Sequence, residues 1–416
     1  MSKYEIYGGN KLSGEITLES AKNSVLPMLA GAILTDEQVV IKNCPNITDV
    51  KNMIGILRSL GVKVVRQEKS VIISGSAIKE KIPSGLAKEL RSSVFMLGAL
   101  VGKLGRAKIT YPGGCNIGLR PIDLHVKAIS ELGVKIEESF GEISCVAEKL
   151  KGKAIYLDFP SVGATENVML AAVLAEGKTE IHNPAKEPEI VDLMNFLNSM
   201  GAKIYGAGTS IILIDGVKKL HGSEYLPMAD RIEAGTFLTA AAITGGEIAV
   251  KGLEGKNIYS LINKFCDYTC KIRIVNDIIY LTGNKRGKPF VVDTGPYPCF
   301  PTDLQAQITA LAVFADGVSA ITENVFETRF NHIPELIKMG ADITVKGITA
   351  LIKGVPKLFG TKVQAMDLRG GASLVLAGLN AEGVTTVEGI KHIERGYSDF
   401  EGKLNSLGAK IRKIIG

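Results

Sequence analysis

The patterns that mark metal and redox centres are missing from this chain. Its six cysteines, at 44, 115, 145, 266, 270 and 299, form no CxxC pair, and its five histidines form no HExxH. There is no Walker loop and no GxGxxG following a strand, so neither a resident metal nor a nucleotide cofactor is expected. Long apolar runs are missing too: VFMLGALV at 94–101 falls far short of the roughly 18 residues that span a membrane. The opening MSKYEIYGGNKLSG carries no apolar stretch, so no secretory signal is expected, and reduced thiols in a cytoplasmic protein are. Charge of one sign is scarce. Lys and Arg number 49 against 43 Asp and Glu, a net +6 over 416 residues, and the longest basic cluster, KRGK at 285–288, reads as a solvated loop. No nucleic-acid, membrane or obligate protein partner is expected. What the chain does have is apolar material, 46% of its residues, enough to build sizeable cores.

It also repeats itself. SLGVKV at 59–64, ELGVKI at 131–136, SMGAKI at 199–204, KMGADI at 338–343 and SLGAKI at 406–411 are one motif, their glycines 72, 68, 139 and 68 residues apart. The long gap is nearly two periods, and YTCKI at 268–272 fills it with Thr269 in place of glycine. An amphipathic helix stopped by a left-handed glycine and followed by an alternating strand explains the motif. A second, almost wholly apolar helix recurs at 25–34, 94–101, 168–175, 235–244, 308–315 and 372–379, and must be buried on all sides. Each is closed by a turn at Asp36, Gly105, Gly177, Gly246, Gly317 or Gly383. The repeating unit is therefore buried helix, strand, exposed helix, strand, strand. Six units of roughly 70 residues predict an α/β fold of two pseudo-threefold domains. The first covers 22–229; the second covers 230–416 completed by 1–21.

Counting 14 residues back from each turn reaches Lys22, Arg91, Gly163, Ile232 (beside Arg231), Asp303 and Arg369. A cation at a helix start opposes the macrodipole. Either these are solvated surface charges, or the set forms a face that binds anions; four cations at six equivalent places favour the second reading. Cys115 lies in YPGGCNIGLRPIDLH, where three glycines, two prolines and Arg120 suit a mobile loop with a reactive thiol, the alternative being an ordinary cysteine in a tight turn. The other five cysteines sit in apolar or helical surroundings and are assigned no role. Asp303 alone reads as a helix cap. Arg329 and Arg395 lie in polar loops, and His125 and His392 have no partner at ligand spacing.

PGGCNIGLRPIDLH, GGNKLSGEITLESAKNS, FPTDLQAQ, ETRFNH, MDLRGGASLVLAGL and HIERGYSDF together resemble the UDP-N-acetylglucosamine 1-carboxyvinyltransferases, from the first residues to the last. The resemblance implies an inside-out α/β barrel. It also implies a reaction: phosphoenolpyruvate is joined through C2 to the sugar 3′-hydroxyl, a tetrahedral ketal forms, and phosphate leaves, committing the sugar to peptidoglycan. By motif position, Lys22, Asn23, Arg120 and Arg395 would meet phosphoenolpyruvate. Arg91, Arg120, Pro121, Ile122, Asp123, Leu124, Ser161, Val162, Gly163, Asp303 and Val325 would meet the UDP-sugar. Cys115 would protonate C3 and be the thiol alkylated by the epoxide fosfomycin, and Asp303 would deprotonate the hydroxyl. Arg329, Asp367 and Arg369 would form the supporting wall. Some members carry a basic residue where this chain has Pro160, so that nucleotide contact is not implied here. Two other readings are a 5-enolpyruvylshikimate-3-phosphate synthase, which lacks the cysteine loop, and a pseudosymmetric DNA clamp, which needs neither that loop nor Asp303.

Overall fold

The computed structural model describes residues 2–113 and 122–415. They fold into two compact units, 2–18 with 229–415, and 19–113 with 122–228. Each unit has its own apolar core.

Buried helix, strand, exposed helix, strand, strand is the order found in the first five repeats, and the sixth follows it as far as the strand after its exposed helix. The buried helices are Lys22–Gly31, Phe95–Leu104, Val162–Ala172, Arg231–Thr244, Gln305–Ala312 and Leu368–Leu379. Alanine, glycine and threonine let them pack with no polar face: every residue of Arg231–Thr244 and of Leu368–Leu379 is buried. Backbones approach closely. A Cβ on Gly98 would lie 2.2 Å from the Asn167 carbonyl, so the Phe95–Leu104 and Val162–Ala172 helices touch through that glycine.

The exposed helices end as the motif requires. Gly61, Gly133, Gly201, Gly340 and Gly408 have φ between +91° and +101°. Thr269, the degenerate sixth copy, has φ +72° and makes the same bonds, its N–H to the Cys266 carbonyl and that of Cys270 to Phe265. The repeat therefore imposes a left-handed residue even where the side chain resists it. The turn after Arg231–Thr244 differs by one position: Gly245, not Gly246, is left-handed, and a Cβ on Gly246 would meet the Leu12 carbonyl at 2.2 Å.

Among the described residues the strands form six small sheets, five of four strands and one of three. The C-terminal repeat borrows its central strand from the start of the chain: Lys3–Tyr7 runs antiparallel to both Val384–Glu388 and Lys410–Ile414. Ser13–Thr17 pairs in parallel with Glu247–Lys251. No helix among the described residues is long and apolar enough to cross a membrane.

Candidate functional site

Polar chemistry collects where the buried helices begin. In the unit containing residues 229–415, Asp230 and Asp367 cap two of them. Asp230 accepts from the N–H groups of Ile232 and Glu233, and Asp367 from those of Arg369 and Gly370. Those N–H groups are thus taken by the chain's own carboxylates, which offsets the dipole penalty of Arg231 and Arg369. Ser161 does the same at Val162–Ala172, its Oγ accepting from Ala164.

Asp303 is not a cap. It sits inside a 3₁₀ turn, Thr302–Leu304, ahead of the helix at Gln305, and the capping positions there are Pro301 and Leu304. Its carboxylate instead takes Arg329 Nη2 on one oxygen at 2.7 Å and Arg369 Nη2 on the other at 3.2 Å. Neither arginine is a surface charge; their side chains are 5% and 3% exposed, while Asp303 keeps 29%. Arg329 is steadied by Nη1 on Thr302 Oγ1, which donates to Glu323, a buried carboxylate that also takes the N–H groups of Val325 and Phe326. Arg369 lies 5.3 Å above the Tyr397 ring. The Tyr397 hydroxyl is fixed by Thr236 and Gln307, so residues of three repeats hold one guanidinium. Burial works against the Arg369 charge, but Tyr397, Asp303 and Asp230 outweigh it and raise its pKa. Glu323, Tyr397 and Asp230 carry no signal in the sequence that would single them out.

In the unit containing residues 19–113 and 122–228, Lys22 opens its helix and pairs with Asp49 at 2.6 Å, both largely buried. Asn23 follows it, half-buried. Arg91 lies in a 3₁₀ turn, Arg91–Val94. Gly163 has a specific reason to be glycine: a Cβ there would meet the His125 ring at 2.6 Å. His125, to which the sequence assigns no role, is bonded at Nδ1 by Asn167, which also reaches the Val94 carbonyl. Ile122 is buried, Asp123 and Leu124 open the Asp123–Ser130 helix, and Val162 packs against the apolar core. One carboxyl escapes the sequence altogether. Glu166 is fully buried with both oxygens unpartnered, and burial first, then Glu189 and Glu187, push its pKa well up.

Cys115, Arg120 and Pro121 lie outside the described residues. Burial pushes the thiols of Cys44 and Cys145 up to about 12 and that of Cys270 to about 11, which leaves them unreactive. Cys266 lies in a helix, as expected, on its exposed side, whereas Cys299 is exposed in a loop and so has neither the apolar nor the helical surroundings expected for it. Arg395 closes the 3₁₀ turn Ile390–Arg395, and Val325 lies beside Glu323.

Residues 6–404 match the family model of EPSP synthase (3-phosphoshikimate 1-carboxyvinyltransferase). UDP-N-acetylglucosamine 1-carboxyvinyltransferase 2 of Caldanaerobacter subterraneus is 51% identical over the whole of both chains. UDP-N-acetylglucosamine 1-carboxyvinyltransferase 1 of Clostridium acetobutylicum is 48% identical, again over the whole of both. Among solved structures, the enolpyruvyl transferase NikO from Streptomyces tendae has a TM-score of 0.90 at 25% identity, covering 100% of this chain and 99% of that one. EPSP synthase from Acinetobacter baumannii has a TM-score of 0.76 at 20% identity over all of both chains, a likeness of fold alone. With about half its residues shared from end to end, the chain belongs to the enolpyruvyl transferase family, in its UDP-N-acetylglucosamine 1-carboxyvinyltransferase branch.

Proposed function

We propose that this protein transfers the enolpyruvyl group of phosphoenolpyruvate to the 3′-hydroxyl of UDP-N-acetylglucosamine, releasing phosphate. The observation that carries the reading is full-length identity near one half to proteins of that name, set against 20% identity to the solved EPSP synthase.

The chemistry needs a base at the incoming hydroxyl and an acid at C3. Asp303 suits the first role. Each of its oxygens is gripped by one guanidinium, so the carboxylate cannot turn away, and its partial exposure leaves lone pairs for a hydroxyl proton. The hydroxyl oxygen bonds to C2, its proton passes to Asp303, and C3 takes a proton from the Cys115 thiol. The ketal then loses a C3 proton and the C2–O bond to phosphate, restoring the double bond. Lys22, Asn23, Arg120 and Arg395 would hold the phosphate and carboxylate of phosphoenolpyruvate, cations set where negative charge leaves. Arg91, Arg120 to Leu124, Ser161 to Gly163 and Val325 would seat the UDP-sugar. Arg329, Asp367 and Arg369 would support Asp303. Mass spectrometry of the nucleotide product tests the reading: a UDP-sugar heavier by one enolpyruvyl group supports it, and unchanged UDP-sugar overturns it.

A further inference from the structure

Two parallel strands end side by side next to the turn that carries Asp303. Val291–Asp293 and Val318–Thr322 pair in parallel, and the residues that follow them are Thr294 and Glu323. Both are buried, and the Thr294 N–H donates to the Thr322 carbonyl at 2.9 Å. The Glu323 carboxylate is met by donors on both sides. Its Oε1 accepts from the Thr294 hydroxyl at 2.9 Å and from the N–H groups of Val325 at 2.9 Å and Phe326 at 3.1 Å. Its Oε2 accepts from the Thr302 hydroxyl at 2.9 Å. Four donors suit a carboxylate, which accepts on both oxygens; a glutamine would turn an NH₂ group on one set of them.

The two oxygens serve different ends. A hydroxyl has one proton, and Thr302 gives it to Glu323, so a lone pair faces the Arg329 Nη1 that donates to it at 2.9 Å. The other terminal nitrogen of Arg329 donates to Asp303 at 2.7 Å. Oε2 thus ends a chain of donors that fixes the guanidinium on Asp303. It also keeps a second carboxylate one hydroxyl away from Arg329 once Asp303 has taken a proton. Oε1 instead holds the loop just after its own strand, at Val325 and Phe326. Thr294 reinforces that loop, its hydroxyl accepting from the Asn324 N–H at 2.9 Å.

We propose that Glu323 is a positioning residue with two separable duties. Through Thr302 and Arg329 it aims the Asp303 carboxylate, and through Thr294 and the Val325 and Phe326 amides it sets the loop that meets the UDP-sugar. Glu323 acts on the reaction only through these neighbours. This role rests on the proposed enolpyruvyl transfer, with Asp303 as the base and Val325 as a sugar contact.

Full-length variants test it, each checked by circular dichroism and thermal melting. Thr302→Val removes the hydroxyl between Oε2 and Arg329. The expected result is a kcat lower by about tenfold or more with both KM values within about threefold, since the lost interaction serves the transition state. Thr302→Ser should recover most of that kcat. Thr294→Val should do the reverse, raising the KM for UDP-N-acetylglucosamine by about threefold or more while kcat stays within about threefold. Glu323→Gln should show both defects, and adding Thr302→Val to it should lower kcat little further, because both act along one chain. The same pattern in the two valine variants, wild-type kinetics in either, or Thr302→Ser as poor as Thr302→Val would overturn the two duties. Amide hydrogen exchange gives a readout apart from activity. The Val325 and Phe326 amides should be protected in wild type and in Thr302→Val, and should lose that protection in Glu323→Gln. Unprotected amides in wild type, or protection that survives Glu323→Gln, would overturn the proposal even in an active enzyme. A wild type with these amides protected and no transfer activity would sink the functional reading alone.

Discussion

Arg329 holds Asp303 at 2.7 Å while spending its other terminal nitrogen on Thr302, the residue just before Asp303 in the chain. One guanidinium thus fixes both the carboxylate and the turn that presents it. A lysine in its place can make one of these bonds but not the planar pair. Arg329→Lys should lower kcat by about tenfold or more and leave the fold intact. Asp303→Asn, which keeps the shape and removes the base, should lower kcat by about 10²–10⁴-fold with little change in the KM for phosphoenolpyruvate. Steady-state kinetics checks both. An Asn variant within threefold of wild type would show that the base lies elsewhere.

Glu166 gives a prediction about stability. Its folded-state pKa lies well above the ordinary carboxyl value because of burial, with Glu189 and Glu187 adding to it. The folded protein therefore binds that proton more tightly than the unfolded chain. Stability is complete below the unfolded pKa and falls as pH rises toward the folded value. Glu166→Gln should melt above wild type at pH 8, by roughly 2–4 °C for each kcal/mol recovered, and the advantage should vanish near pH 4. A gain independent of pH would contradict the assignment of Glu166 as a buried acid.

The helix-ending motif predicts opposite signs at two equivalent positions. Gly408 has φ +93° with nothing nearer than 3.6 Å to an added Cβ, so Gly408→Ala isolates the backbone penalty, about 1–2 kcal/mol. Thr269 already carries that penalty at φ +72°, and Thr269→Gly should relieve it, less the bond its hydroxyl accepts from Asn284. Urea unfolding measures both. Destabilisation by both changes would show that the hydroxyl outweighs the strain.

The repeat is legible in the sequence because spacing is a one-dimensional signal, and the interval of 68 to 72 residues survives even where Thr269 stands in place of glycine. The helix starts are legible for the same reason. Where the side chains turn is not. Asp303 looks like a cap because caps are local, whereas its partners are 26 and 66 residues away. Arg329 sits in a polar string yet is buried. Apolar periodicity places the start of the Val162–Ala172 helix six residues late. Ser161, Gly163, Thr165, Glu166 and Asn167 do not look like a buried helix until His125 and Asn167 are seen together.

Cys115 carries a prediction that turns on sulfur. Cys115→Asp keeps an acid able to protonate C3, so enolpyruvyl transfer should persist, whereas Cys115→Ser should be far poorer, a hydroxyl being too weak an acid. Intact mass after fosfomycin should show one adduct on wild type and none on Cys115→Asp. An adduct on the exposed Cys266 or Cys299 instead would move the reactive thiol.

The most direct test of the proposed transfer is release of inorganic phosphate from phosphoenolpyruvate by the purified full-length protein, measured with UDP-N-acetylglucosamine, with shikimate 3-phosphate, and with neither. Phosphate should appear only with UDP-N-acetylglucosamine, and that release should be lost in Asp303→Asn. Release driven by shikimate 3-phosphate, or no release with either acceptor, would contradict the proposed function.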